Sequence, residues 1–148
     1  MGAFRFGGLT PYLHYEDADA MTDWLARVFG FQERARYVDD QATARQVEML
    51  VGDTELWLAG HGPGYWPAHG GGPDQLILVW VDDVDAHHAH VRSAGVEADP
   101  PEDKTYGVRT YTVRDPEGYE WGFMARTSAG YQKTEAGGLT EVVPAARA

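Results

Sequence analysis

One short pattern occurs twice at a fixed distance, and this limits the architecture of the chain more than any single motif does. Asp17-Ala18-Asp19-Ala20 is echoed by Asp83-Val84-Asp85-Ala86, and the offset is 83 − 17 = 66. Gly52-Asp53-Thr54-Glu55-Leu56-Trp57-Leu58-Ala59 is echoed by Gly118-Tyr119-Glu120-Trp121-Gly122-Phe123-Met124-Ala125 at the same offset. Two landmarks sharing one offset predict duplication of a supersecondary unit about 60 residues long. Two copies are too few for a solenoid, so the pattern predicts a single closed domain with approximate twofold symmetry. The place where the copies face each other is then the natural one for a binding cavity.

Periodicity fills in the unit. Leu9 to Tyr15 alternates as a strand, with Pro11 near its start where an edge tolerates it. Asp17 is placed to cap the next helix, whose stripe is Met21, Trp24, Leu25, Val28 and Phe29, and Gly30 ends it. Phe31–Val38, Arg45–Val51 and Thr54–Ala59 read as three further strands. In the second copy Gln75–Val81 reads as a buried strand, Asp83 to Gly95 as a capped helix, and Val96–Ala98, Thr105–Arg114 and Tyr119–Arg126 as strands. Modules over residues 8–60 and 75–126 are joined by the linker 61–74, whose glycines and prolines oppose regular structure. Residues 127–148 read as a loosely held tail.

At 148 residues, with 43% hydrophobic and 12% aromatic content, the chain can bury its own core and is not disordered. No apolar run approaches the ~18 residues that span a bilayer, and the N-terminus lacks an export-signal pattern. Zero cysteines remove disulfides, thiolate metal sites and thiol nucleophiles, which fits a cytoplasmic protein. A net charge of −11 argues against nucleic acid and favours a cationic partner, although many soluble proteins are acidic for solubility alone.

A tandem βαβββ order with Asp115-Pro116-Glu117-Gly118 before the last strand resembles the vicinal-oxygen-chelate superfamily, which includes glyoxalase I, extradiol dioxygenases and the fosfomycin- and bleomycin-resistance proteins. The resemblance covers residues 8–126. It is carried by Pro11-Tyr12-Leu13 before Asp17, by Trp24-Leu25 and by Phe29-Gly30-Phe31. In the second copy it is carried by Val81-Asp82-Asp83-Val84-Asp85-Ala86, Tyr106-Gly107-Val108-Arg109 and Asp115 to Trp121. It implies an α+β fold of tandem modules forming a cup-shaped, partly closed mixed sheet with the helices outside, and a homodimer. In metal-using members it implies ligands on the first and last strand of each copy. Those positions are Thr10 and Leu76, then Gly122 and either Leu56 by strict offset or Trp57 by alternation. None offers the imidazole or carboxylate a divalent ion needs, so the expected metal and cofactor are none.

If alternation turns one side of each strand into the cup, Thr10, Tyr12, His14, Leu76, Leu78, Trp80, Glu120, Gly122 and Met124 line it. Trp57 adjoins them, with Glu55 as a neighbour, and Trp66 with Tyr65 stands on the linker as a lid or dimer contact. Gly122 is expected to open space. Such a lining suits a planar or cationic ligand. Each residue also has a plainer role: Tyr12 and Trp80 as core aromatics, His14 as a polar lining group, Trp66 and Tyr65 as surface packing. His87-His88-Ala89-His90 resembles a metal site but lacks a carboxylate on a common helical face. Arg109, Arg114 and Glu117 read as strand-end charges in water.

Three functions compete. The first is a metal-free protein that sequesters an antibiotic-like compound. The second is a metal-dependent glyoxalase- or dioxygenase-type enzyme whose displaced ligands are His14, Glu55 and Glu120. The third is a metal-free enzyme with His14 as general base beside Tyr12.

Overall fold

Two aspartates start the two longer helices. In the structure, a computed structural model describing residues 4–132 and 140–145, Asp17 Oδ1 accepts the Ala20 N–H at 2.9 Å and Asp83 Oδ1 accepts the Ala86 N–H at 3.0 Å. Each carboxylate satisfies an N–H of the first turn that has no helical partner. The first copy runs β1 (Tyr12–Tyr15), α1 (Ala18–Trp24), β2 (Gln32–Val38), β3 (Ala44–Val51) and β4 (Thr54–Gly60). One helical turn, α2 (Tyr65–Ala68), leads to β5 (Leu76–Trp80), α3 (Val84–Ser93), β6 (Glu102–Asp103), β7 (Tyr106–Arg114) and β8 (Glu120–Tyr131). A π-type turn over Leu25–Phe29 prolongs α1 until Gly30, at φ 85°, ends it in the left-handed region that glycine enters without strain.

Each copy builds one four-stranded mixed sheet, ordered β1-β4-β3-β2 and β5-β8-β7-β6. β1 runs parallel to β4 and β5 parallel to β8, while the remaining neighbours are antiparallel. The α+β class and the tandem βαβββ order agree with the sequence. The two sheets remain separate and neither closes.

Alternation divides every strand between two environments. Leu13, Tyr15, Leu56 and Leu58 from the first sheet, and Val79, Trp121 and Phe123 from the second, enter one core. Met21, Leu25 and Val28 from the first helix and its π-type extension, and Val84 and Val91 from α3, complete it. Phe29 sits at the join, edge-on to Phe123 at 4.7 Å and to Trp121 at 5.5 Å. Burying aromatic groups of this size contributes roughly 2–3 kcal/mol each. The histidine run on α3 clips the copies together. His87 Nε2 reaches the Phe29 carbonyl at 2.9 Å and its Nδ1 the Tyr111 hydroxyl at 2.5 Å, while His90 Nε2 meets the Arg27 carbonyl at 3.1 Å. His88 Nε2 meets the Ala98 carbonyl at 3.0 Å. A ring nitrogen facing a carbonyl must carry a proton, so these nitrogens are donors rather than metal ligands.

Four elements differ from the sequence reading. β1 begins at Tyr12, so Thr10 precedes it as exposed, irregular chain. The linker holds the helical turn α2, where Pro67 lies in a first turn whose N–H groups need no helical partner. Val96–Ala98 pairs with no strand. Pro100 and Pro101 remove two backbone donors just beyond it, and the edge forms later, where Glu102 and Asp103 pair with Thr110 and Arg109. β8 runs on through Tyr131, which lies opposite Tyr106, so Thr127–Tyr131 belongs to the sheet instead of the tail. Residues 133–139 and 146–148 of that tail lie outside the described residues.

Candidate functional site

The second face of each sheet turns away from the core and carries large apolar groups that no other part of the described chain covers. Tyr12 is 47% exposed, and Leu76, Leu78 and Trp80 are 51, 52 and 54% exposed. Among the described residues one chain thus presents two open faces and not a closed cup.

Register assigns the residues of these faces. Tyr12 lies opposite Trp57, and Leu78, its counterpart at the offset of the repeat, lies opposite Gly122. Trp57 is therefore the structural equivalent of Gly122, one place away from the strict offset. Leu56 faces the core, only 2% exposed. Alternation, and not the strict offset, identifies the first-copy position.

On the first open face the Tyr12 hydroxyl donates to Gln46 Oε1 at 3.1 Å, and its ring stands edge-on to Trp57 at 6.0 Å. Trp57 Nε1 donates to Glu55 Oε1 at 3.3 Å. Arg34 Nη2 pairs with the buried Glu48 at 2.5 Å, and Arg34 Nε lies 3.5 Å from Glu55. Two carboxylates sharing one guanidinium leave this patch net negative beside two aromatic rings. His14 Nδ1 lies 2.8 Å from His61 Nε2, and the His61 ring stacks on Tyr65 at 4.1 Å. Burial, followed by the charges of His14, His69 and Arg45, holds His61 below the usual histidine range. The neutral ring is thus favoured, and one of the two nitrogens in the His14–His61 contact acts as acceptor.

The second open face is apolar. Leu76, Leu78 and Trp80 project from β5 beside Glu120, Gly122 and Met124 of β8. The room expected above Gly122 is taken: a Cβ there would stand 2.8 Å from Leu78 Cδ2. Arg126 lies over the Trp80 ring with Cζ 4.7 Å from its centroid. A cleft of about 210 Å³ at the seam of the modules is lined by Pro11, Glu55 and Leu56 from the first and by Leu78, Trp80 and Trp121 from the second.

Trp66 lies elsewhere. Its amide donates to Glu16 Oε2 at 2.9 Å, and Nε1 to Glu117 Oε1 at 2.8 Å, which fixes the linker against the module junction. Glu117 is also no free surface charge, because it accepts the amides of Glu16 and Asp17 at 2.7 and 2.9 Å. Its neighbour Asp115 is buried and accepts the Tyr15 hydroxyl at 2.6 Å, Trp121 Nε1 at 3.1 Å and three backbone amides of its own turn. Arg109 binds Asp85 and Asp103. Sequence reasoning missed Arg34, Gln46, Glu48 and Arg126 on the open faces. The parity of β3 and β8 was the available signal for Gln46, Glu48 and Arg126. Arg34 sits at a bulge in β2 that parity does not foresee.

The positions that the resemblance implies for metal ligands, Thr10, Trp57, Leu76 and Gly122, offer one hydroxyl among four side chains, and that hydroxyl lies off the sheet. This donor set does not fit a divalent ion. His14, Glu55 and Glu120 do not come together either, since among the described residues no three His, Cys, Asp or Glu side chains are grouped to hold one.

Two four-stranded βαβββ sheets on one core, with aromatic open faces, define a paired-module protein of the vicinal-oxygen-chelate type. The model of the Glyoxalase/Bleomycin resistance protein/Dioxygenase superfamily matches residues 11–123, and the chain belongs to that family. It is similar to TioX from Micromonospora sp. ML1, at 34% identity and a TM-score of 0.68 over 82% of this chain and 99% of that one. A bleomycin-binding protein complexed with bleomycin shares the fold at 21% identity, TM-score 0.63, over 82% and 99% of the chains. A fosfomycin resistance protein, FosX from Listeria monocytogenes, complexed with Mn(II) and sulfate, shares it at 15% identity, TM-score 0.60, over 84% and 94%. No curated protein matches the sequence. Among the described residues no helix is long and apolar enough to cross a membrane.

Proposed function

We propose that this chain is a metal-free small-molecule binding protein that sequesters an antibiotic-like compound with planar or cationic groups, acting in the cytoplasm as a homodimer. The observation that carries the reading is the pair of open faces. Tyr12, Trp57, Leu78 and Trp80 present rings and apolar surface to solvent, and the positions implied for metal ligands carry no imidazole or carboxylate. Burial of a ligand's rings against such side chains supplies affinity without chemistry. The net-negative Arg34–Glu48–Glu55 patch favours a positive group nearby. A second copy placed over the exposed faces would complete the cup that one chain leaves open. Bleomycin held by a protein of this fold supports ligand capture by the architecture.

The test combines metal analysis of the purified protein with titration of tryptophan fluorescence by proflavine, a planar cation, across a range of protein concentrations. Negligible metal, saturable quenching weakened by Trp57→Ala, and a dimer by sedimentation are expected. Stoichiometric zinc, iron or manganese, or an absence of quenching, overturns the reading.

A metal-free enzyme is the second reading, favoured by the His14–His61 contact, which orients one imidazole toward the open face. Under this reading His14→Ala abolishes turnover of a ligand, whereas a binder loses only part of its affinity.

A further inference from the structure

The chain carries 23 acidic residues against 12 lysines and arginines, and five of the nine arginines among the described residues pair with a carboxylate. Arg34, Arg36, Arg45, Arg109 and Arg114 each reach a carboxylate oxygen within 4 Å. Arg126, on the open face of the second module, pairs with none among the described residues. Its guanidinium instead lies over the indole of the half-exposed Trp80. Stacking engages the π face of a guanidinium and leaves its in-plane N–H donors free. Those donors form the fork that matches a carboxylate. The nearest acid along β8, Glu120, is about 20 Å away along the strand, and already has Arg114 at 3.6 Å. Between them lies an apolar shelf of Leu76, Leu78 and Trp80.

We propose that Trp80 and Arg126 form an acid-anchoring subsite, in which a flat aromatic ring rests on Leu78 and Trp80 while a carboxylate on that ring receives the in-plane N–H groups of Arg126. The proposal rests on the open faces being ligand surfaces and deepens that reading: the ligand carries an aromatic acid at the end held by the second module. The stack holds the guanidinium in place before binding, so little side-chain freedom is lost when the acid arrives.

The probes are 2-naphthoate and the uncharged 2-naphthamide, which share one ring system and differ in charge. Their dissociation constants are measured by fluorescence titration of the full chain and of Arg126→Gln and Arg126→Lys, with circular dichroism verifying the fold of each. The wild type is expected to bind naphthoate about tenfold more tightly than the amide, the scale of one charge-assisted pair. Arg126→Gln should equalise the two, and Arg126→Lys should retain part of the preference. Equal affinities in the wild type, a preference that survives in Arg126→Gln, or no naphthoate binding overturns the proposal. Proflavine quenching in the same preparation separates the failures: if it persists, only the acid subsite falls, and if it is absent too, the open-face reading falls with it.

Discussion

The Tyr119 hydroxyl exchanges two hydrogen bonds with the backbone of His14, donating to its carbonyl at 2.9 Å and accepting its N–H at 3.0 Å. β1 is an edge strand, and His14 has both backbone groups on the side away from β4. One phenol from the second module therefore closes the edge of the first. At the matching place in the first copy stand Asp53 by the strict offset and Thr54 by the sheet register, both exposed, so Trp80 has no comparable seal. Tyr119→Phe should keep the ring packing on Tyr15 and leave both His14 groups to water or unpaired. A loss of about 1–2 kcal/mol is expected in urea unfolding. An unchanged midpoint would mean that water replaces the phenol without cost.

Glu117 makes a comparable link with charge. Its two oxygens receive the Glu16 and Asp17 amides and the Trp66 indole, so β1, the linker and the β7–β8 turn meet at one carboxylate. Glu117→Gln replaces one acceptor oxygen with an amide that faces donors. The variant should lose about 1–3 kcal/mol, and Trp66 fluorescence should shift to the red at temperatures well below global unfolding. Global loss without an early Trp66 signal would show that the linker does not depend on this anchor.

These links mark where the sequence stopped being legible. The repeat, both aspartate caps and the α+β order could be read because they are local, with each signal lying within a few residues of its consequence. On the open faces, parity correctly separated Tyr12, His14, Leu78 and Trp80 from the core side chains. Thr10 and Trp66 were misplaced because strand ends and linkers are set by tertiary partners, here Glu16 and Glu117 for Trp66. Whether two faces meet in one chain depends on which side of each sheet enters the core, and periodicity alone cannot distinguish those sides.

Acid should weaken the fold through its depressed histidines. Burial is the main cause that holds His87 below the ordinary histidine range, and His61 shifts the same way. A depressed folded value means that the neutral ring contributes stability fully present above the unfolded value near 6.5 and lost as pH falls through the folded one. Unfolding free energy should therefore decline as pH falls below about 6.5. His87→Gln, which retains hydrogen-bonding capacity toward Phe29 and Tyr111 but does not titrate, should flatten that decline even if it is less stable throughout. Equal slopes for variant and wild type in this window would exclude His87 as a source.

Two buried glycines should respond to very different degrees to an added methyl group. A Cβ on Gly60 would press against the Ala44 carbonyl oxygen, with Ala18 Cβ at 3.0 Å, and neither the β-ladder backbone nor the buried helix start can retreat. Gly60→Ala should cost roughly 2–4 kcal/mol, in the range of an overpacked core. At Gly122 the obstacle is Leu78 Cδ2 at 2.8 Å, the tip of a half-exposed side chain that can rotate toward solvent. Gly122→Ala should cost less than about 1 kcal/mol and move Leu78 outward, changing ligand affinity on the open face more than stability. Melting temperature and proflavine titration measured on both variants check the contrast. A severe stability loss in Gly122→Ala would mean that Leu78 is held in place, and the second open face would then be rigid packing instead of an adaptable ligand surface.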